Sequence, residues 1–144
     1  MDKSLPDKWI RKAIFDLLDE IVVDTETVYV YDTRMTGVYQ PDFYIVMSSQ
    51  SNLVDKWNKC EYVWDSDILL DIRTVYQRAG NTGSRLLADN ILDAVRNLIK
   101  DIQLDVGSGL SIINTTLSFP NDLNEIDDSE IVFRKFLRLT MRIK

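Results

Sequence analysis

The sequence predicts a single α+β domain in which two helices pack on one face of a mainly antiparallel sheet. Two stretches of the 144-residue chain repeat their apolar residues at helical spacing, one near the N-terminus and one in the middle. Between and after them, five stretches have strand character, which gives the order α-β-β-β-α-β-β. No repeat, low-complexity segment or linker divides the chain, so residues 1–144 are expected to form one domain.

The first helix is predicted over Leu5–Ile21, where apolar residues recur every three or four positions. Ser4 or Asp7 is expected to cap its N-terminus. A short strand follows over Val28–Asp32, with its valines on one face and its tyrosines on the other.

The next two strands form the predicted centre of the sheet. Asp42–Ser49 lacks clean alternation, which favours burial on both faces and a central position. Gln50–Lys59 is polar and expected to be irregular. One long, bent strand is predicted over Glu61–Tyr76, and the first three strands are expected to pair as antiparallel neighbours.

A strand, a short turn and a helix form the central unit of the chain. Gln77–Ser84 is a turn cluster with two glycines, and its last residue, Ser84, is placed to cap a helix. The helix that follows, over residues 85–103, has an apolar arc broad enough to lie flat on a sheet.

The C-terminal part is predicted to form a hairpin across a long loop. Asp105–Gly109 reads as a turn, and Leu110–Phe119 as a strand whose apolar phase slips after Ile112, which indicates a bulge. Pro120–Glu130 is expected to be a loop. Ile131–Ile143 alternates clearly and is predicted to be the last strand.

Bulk composition limits the class of protein. The hydrophobic fraction of 45% and charged fraction of 28% are those of a soluble globular domain, and the net charge of −6 argues against phosphate binding as the main function. No run approaches the ~18 apolar residues that span a bilayer, and the first residues lack the apolar core of a signal peptide. We therefore expect a protein of the cytoplasm, or of a particle assembled there.

The chain has one cysteine, Cys60, and no histidine. A single cysteine cannot close an intrachain disulfide and offers no metal-ligand spacing. Without histidine, Cys–His, Ser–His–Asp and histidine–metal chemistry are excluded. We expect Cys60 to be structural, and the chain to need no cofactor or metal.

Acidic residues supply the only material for a catalytic site. Asp65, Asp67 and Asp71 cluster, and Asp42 follows a proline, as in nucleases that hold Mg²⁺ with carboxylates. Such a site also needs a lysine two residues after an acid on the next strand, which this sequence lacks. Solvated acids at strand ends are therefore the preferred interpretation.

The glycines that precede the second helix admit two interpretations. A glycine-rich turn at a helix N-terminus could cradle a phosphate. The Gly-Lys-Ser/Thr spacing is absent, however, and Arg85 is the only nearby cation. A tight strand-to-helix turn explains the glycines.

The charges of the last third of the chain suggest assembly rather than catalysis. A basic stripe, Arg134, Arg138 and Arg142, lies on one face of the last strand, and five acids precede it: Asp122, Glu125, Asp127, Asp128 and Glu130. One interpretation is a solvated strand face. The alternative is head-to-tail assembly, in which the basic stripe of one subunit meets the acidic loop of the next and closes a ring.

Aromatic residues and methionine around the first connection fit an interface or a buried strand equally well. They are Tyr29, Tyr31, Met35 and Tyr39. The first connection, the acidic loop and the basic stripe together give the residues at which we expect contacts with other subunits or with a partner. They are Arg34, Met35, Tyr39, Asp122, Glu125, Asp127, Asp128, Arg134, Arg138 and Arg142.

The chain resembles the tail-completion or tail-terminator proteins of tailed bacteriophages. The similarity begins with an N-terminal amphipathic helix, a short strand ending near Asp32 and a proline-preceded strand, QPDFYIVMSS. The most specific part is Ile68–Ile99, where a strand closes in the turn VYQRAGNTGS and enters the helix LLADNILDAVRNLI. A strand, a long loop and an alternating final strand complete it.

The resemblance implies a non-enzymatic α+β protein of the virion, made in the host bacterial cytoplasm. Family members form rings, typically hexamers, and a dodecamer is the other expected size. The ring ends tail-tube assembly and joins the tube to the neck. DNA passes through its lumen without sequence-specific binding, and no contact of the protein with a membrane is expected. No catalytic, cofactor or metal residues carry over.

Three other functions remain open. The same fold could serve as a ring or head-closure adaptor of the neck or a short tail. A metal-dependent nuclease would require a carboxylate cluster with a nearby lysine in the folded chain. A small cytoplasmic binding domain would be a monomer without a large apolar or charge-complementary patch.

Overall fold

The computed structural model describes residues 5–32, 42–57, 62–77, 84–101 and 109–144. Within these ranges two helices are present, α1 over Asp7–Leu18 and α2 over Arg85–Asp101. The strands are β1 Ile21–Val23, β2 Glu26–Val28, β3 Val30–Asp32, β4 Phe43–Trp57, β5 Tyr62–Gln77, β6 Ile112–Ser118, β7 Leu123–Ile126 and β8 Glu130–Ile143.

The main sheet has the strand order β3-β4-β5-β8-β6. Strand β7 also pairs with β8, along residues 131–134, whereas β6 pairs with residues 138–143. All pairs of the main sheet are antiparallel except β3 with β4, which run parallel. Strands β1 and β2 form a separate two-stranded hairpin. The predicted α+β class, with a mainly antiparallel sheet and two helices, is confirmed.

The core lies between the helices and one face of the sheet. Alternate residues of β5 and β8 point to the helices, as the two-residue period of a strand requires. They meet the apolar stripes of α1 and α2 in one buried cluster, whose fully buried members include Ile10, Ile14, Leu18, Ile45, Leu70, Ile72, Ile91, Val95, Leu137, Leu139 and Ile143.

The N-terminal region differs from the prediction in three respects. Helix α1 ends at Leu18, because residues 21–23 pair with Glu26–Val28 in the β1–β2 hairpin. Pro6 occupies the cap position without a side-chain hydrogen bond, so Asp7 is inside the helix, and Ser4 lies outside the described residues. The strand predicted over Val28–Asp32 is divided at Tyr29, and its valines, Val28 and Val30, are both buried.

Strand β4 is longer than predicted. It continues through the polar stretch to Trp57, because this stretch pairs with the first half of β5. Two register shifts, between Met47 and Gln50 and between Val54 and Lys56, accommodate the irregular pattern. Its predicted central position is confirmed, but its pairing with β3 is parallel rather than antiparallel.

The centre and the C-terminal part follow the prediction more closely. Strand β5 is one long strand, and the slip in β6 is a register shift between Ile112 and Asn114. The prediction of a loop over Pro120–Glu130 is wrong in one respect, because Leu123–Ile126 forms β7 along the first part of β8. Of the predicted turn Asp105–Gly109, only Gly109 is described, and its φ of 72° is one that glycine favours.

Candidate assembly surface

The sheet face opposite the helices carries opposite charges on two adjacent strands. Asp65, Asp67 and Asp71 of β5 share this face with the basic stripe of β8, Arg134, Arg138 and Arg142. We call these six residues the charge ladder. Register places Asp65 directly opposite Arg142, whereas Asp67 and Asp71 each lie diagonally from an arginine. The antiparallel pairing of β5 with β8 therefore brings the predicted basic stripe beside the predicted carboxylate cluster.

Asp71 is the buried end of the charge ladder. Its carboxylate is fully buried and accepts hydrogen bonds from Arg134 Nη2 at 2.7 Å and from Arg73 Nε at 2.9 Å. Arg134 Nη1 also donates to Glu125 Oε1 at 2.7 Å. One buried carboxylate thus holds two guanidinium groups, which satisfies its charge and its acceptor atoms.

This arrangement raises the pKa of both arginines. Burial lowers the pKa of Arg73, but the hydrogen bond and the charge of Asp71 together outweigh it. For Arg134 the hydrogen bond to Asp71 is the largest cause of the raised pKa. Both groups therefore stay charged throughout the physiological range, and the cluster is a fixed structural element rather than a proton donor.

The other two ion pairs of the charge ladder are weaker. Arg138 Nη1 lies 3.9 Å from Asp67 Oδ2, and Arg142 Nη1 lies 3.9 Å from Asp65 Oδ1. The arginine side chains keep 45% and 41% of their surface exposed. Pairs of this length and exposure contribute little to folding. Arg138 and Arg142 therefore still present positive charge at the surface.

Two of the acids that precede the basic stripe are held within the subunit. Glu125 on β7 bonds Arg134, so one predicted intersubunit pairing of charges is made inside one chain. Asp122 lies 2.7 Å from Lys135 Nζ and 3.9 Å from Arg85 Nη2. Asp89 of α2 bonds the same Lys135 Nζ at 2.6 Å. The loop before β7 is thereby fastened to the start of α2.

Lys135 is a further charged residue of this region that was not predicted from the sequence. It lies on the apolar side of β8, between Phe133 and Leu137, and its side chain is only 14% exposed. The hydrogen bonds that its ammonium group donates to Asp122 and then to Asp89 raise its pKa. The signal was a single lysine within an apolar alternation, which requires an acidic partner when the strand packs against a helix.

The remaining acids lie at the turn between β7 and β8, which the Asp127 carboxylate stabilises. Asp127 Oδ1 accepts from the backbone N–H of Ser129 at 2.7 Å and from its hydroxyl at 3.0 Å. Asp128 and Glu130 lie in and after this turn, and Asp128 is exposed. These contacts make the turn an Asx turn. Arg34, Met35 and Tyr39 lie outside the described residues.

The structure also places the other candidate residues. Within the ranges it describes, no group of three or more His, Cys, Asp or Glu side chains is arranged to hold a metal ion. Ser84 Oγ accepts from the N–H of Leu87 at 3.0 Å, so the predicted helix cap is confirmed. Tyr31 packs edge-to-face against Tyr44. Gly80, Gly83 and Cys60 lie outside the described residues.

No protein-family model matches the chain, and a search of curated proteins finds no match to its sequence. Neither helix of the described part is long and apolar enough to cross a membrane.

Proposed function

We propose that this chain is a structural ring protein of a bacteriophage tail, which ends the tail tube and joins it to the neck. The proposal starts from the resemblance of the sequence to tail-terminator proteins. The observation that carries it is the β5–α2 unit, the most specific part of that resemblance. This unit folds as a strand, a short connection and a helix at the centre of an α+β sandwich.

Contacts at the junction make the β5–α2 unit a defined structural element. Thr74 Oγ1, buried near the end of β5, donates to the carbonyl of Ser84 at 2.8 Å. Ser84 then caps α2 through its own hydroxyl. One side-chain hydrogen bond, from Thr74 to Ser84, therefore joins the strand to the start of the helix. A strand and helix linked in this way suit a protein whose function is to hold neighbouring subunits in position.

The charge distribution supports assembly as the function. Arg138 and Arg142 keep exposed positive charge on one face, and Asp127, Asp128 and Glu130 keep negative charge at the β7–β8 turn. Opposite charges at separate places on one chain favour head-to-tail contacts between copies. Such heterologous contacts form rings when the rotation between copies closes.

Electron microscopy of the purified chain tests the proposal. At high protein concentration and low salt we expect annular particles with a central hole, composed of about six copies. The neck or short-tail alternative would form rings too, and differs in the tail or neck particle to which the rings bind. Single particles of one subunit that cleave DNA when Mg²⁺ is added would contradict both.

A further inference from the structure

Strand β6 forms one edge of the main sheet. Within the described part of the chain it pairs with β8 on one side, and its other row of backbone N–H and C=O groups faces no strand. An edge of this kind is a template for a further strand. Proteins that remain monomeric usually blunt such an edge with charged residues, prolines or bulges.

β6 has little of this protection. Its sequence, IINTTLS, contains no charge and no proline, in a chain that is 28% charged. Five of its seven residues are exposed, and the other two, Ile112 and Leu117, pack against the core. Two large apolar side chains lie beside the edge, Ile113 at 55% and Phe119 at 50% exposure. The bulge after Ile112 leaves Asn114–Ser118 in regular register.

We propose that β6 pairs with β6 of a second copy of this chain. The two strands run antiparallel over Asn114–Ser118, with Thr116 on the two-fold axis. This register sets Asn114 opposite Ser118 and Thr115 opposite Leu117. The sheets of the two copies then continue into each other, and Ile113 and Phe119 lie at the borders of the contact.

The uncharged sequence of β6 suits a second copy of this chain as the occupant. Each chain carries a net charge of −6, so two copies repel each other wherever their acids meet. The β6 register brings only uncharged side chains face to face, and it is complementary to itself. The other edges of the main sheet in the described part of the chain are β3, β7 and the part of β4 after Met47. Each carries a charged residue in its sequence: Asp32 in β3, Glu125 in β7, and Asp55 and Lys56 in β4.

This contact is independent of the proposed function. A two-fold contact uses the same surface on both copies and stops at two, whereas a ring needs a head-to-tail contact. Together, the two contacts would join rings in pairs. A chain that forms the β6 contact without rings, or rings without the β6 contact, therefore separates the two proposals.

Disulfide crosslinking locates the contact. Thr116→Cys is introduced together with Cys60→Ser, which removes the native thiol. Directly opposed antiparallel residues have Cα atoms about 5 Å apart, which is within disulfide reach. Thr140→Cys in the same background is the matched control, because Thr140 is exposed and pairs with Thr116 one strand further in. In the proposed pair, the Cα atoms of residue 140 in the two copies are about 15 Å apart, because three strand spacings separate them.

We expect mild oxidation to link the Thr116→Cys chains in pairs and to leave the Thr140→Cys chains unlinked. Absence of the crosslink at position 116, or equal crosslinking at both positions, would overturn the proposal.

A charge substitution provides an independent measurement on the chain with its native cysteine. Thr116→Lys places two positive charges on the two-fold axis, so we expect the dissociation constant of the pair to rise roughly fivefold. Thr140→Lys adds the same charge to the same face and should leave the constant unchanged. Equal effects of the two substitutions, measured by sedimentation, would also overturn the proposal.

Discussion

Asp71 shows how one buried carboxylate holds two arginines on the same sheet face. Its carboxylate accepts hydrogen bonds from the guanidinium groups of both Arg73 and Arg134. Removal of its charge would leave two cations beside a buried neutral side chain. The loss of one partner of a buried ion pair is among the costly single substitutions.

We predict that Asp71→Asn lowers the free energy of unfolding by about 3 kcal/mol, measured by urea denaturation. The control is Asp67→Asn, the same substitution on the same strand and face. Asp67 faces Arg138 at 3.9 Å near the surface, so its replacement should cost below about 1 kcal/mol. Equal losses in the two variants would show that burial of Asp71 is not the cause.

The ion pairs of Lys135 predict a dependence on alkaline pH. Because the folded pKa of Lys135 is raised, its stabilising contribution is complete below the unfolded pKa of about 10.4 and is lost as pH rises through the folded value. We predict that Lys135→Met costs about 1 kcal/mol at neutral pH and that this difference shrinks above about pH 10.4.

Urea denaturation of both proteins from about pH 8 to about pH 12 measures this difference. Lys12→Met is the control, because Lys12 pairs with Asp16 on the exposed surface of α1. A cost for Lys135→Met that stays constant across the whole range would contradict the prediction.

The ion pairs of the charge ladder were predictable from the sequence only in part. Alternation along β8 places Arg134, Arg138 and Arg142 on one face without knowledge of the fold. The identity of their partners depends on the register of β5 against β8, which sequence periodicity does not specify. For this reason the sequence interpretation paired the basic stripe with the loop of another copy, whereas Asp65, Asp67 and Asp71 of the same copy lie beside it.

At the scale of elements, the long periodic segments were predictable and the short ones were not. Helix α2 and strands β5 and β8 each have enough residues for their period to appear in the sequence. Strands β1, β2 and β7 have three or four residues, so they contain at most two repeats of the two-residue strand pattern. The polar half of β4 forms a strand because β5 pairs with it, a tertiary cause that its own residues do not reveal.

The start of α2 provides a test at this scale. We predict that Ser84→Ala lowers the free energy of unfolding by about 1 kcal/mol, because the N–H of Leu87 loses its acceptor. Ser118→Ala, on the exposed edge strand, is the matched control and should have little effect. Thermal or urea denaturation of the two variants measures the difference, and a neutral Ser84→Ala would contradict the role of the cap.

The β1–β2 turn predicts a stabilising substitution. Asp24 and Thr25 have φ values of 50° and 69°, and a β-branched residue is strained in this region. We predict that Thr25→Gly raises the free energy of unfolding by about 0.5 kcal/mol, since relief of strain exceeds the added chain entropy. Thr27→Gly in β2 should lower it, because that position has extended backbone. A destabilised Thr25→Gly variant would contradict the account of the turn.

At the scale of the whole molecule, the charge pattern links the fold to the proposed ring. Arg138 is half exposed and only weakly held by Asp67, so it remains accessible to the acids of a neighbouring copy. The sequence predicted the layers of the sandwich from periodicity alone. It does not specify contacts between copies, since these depend on which charges the folded chain neutralises internally.

We predict that Arg138→Glu weakens oligomerisation, and that the effect is larger at low salt than at high salt because exposed charges are screened. Arg96→Glu, on an exposed position of α2, makes the same change of charge away from the sheet and is the control. Sedimentation at two salt concentrations measures both. An unchanged assembly state of Arg138→Glu at low and high salt would remove Arg138 from the interface.

The most direct test of the ring is the mass of the native chain in solution, measured by light scattering alone and with added Mg²⁺ and DNA. The account predicts a particle of about six 16.7-kDa chains, or of two such rings, with the DNA intact in every sample. A stable monomer that cleaves DNA once Mg²⁺ is present would contradict it, and would return attention to Asp42, Asp65 and Asp67.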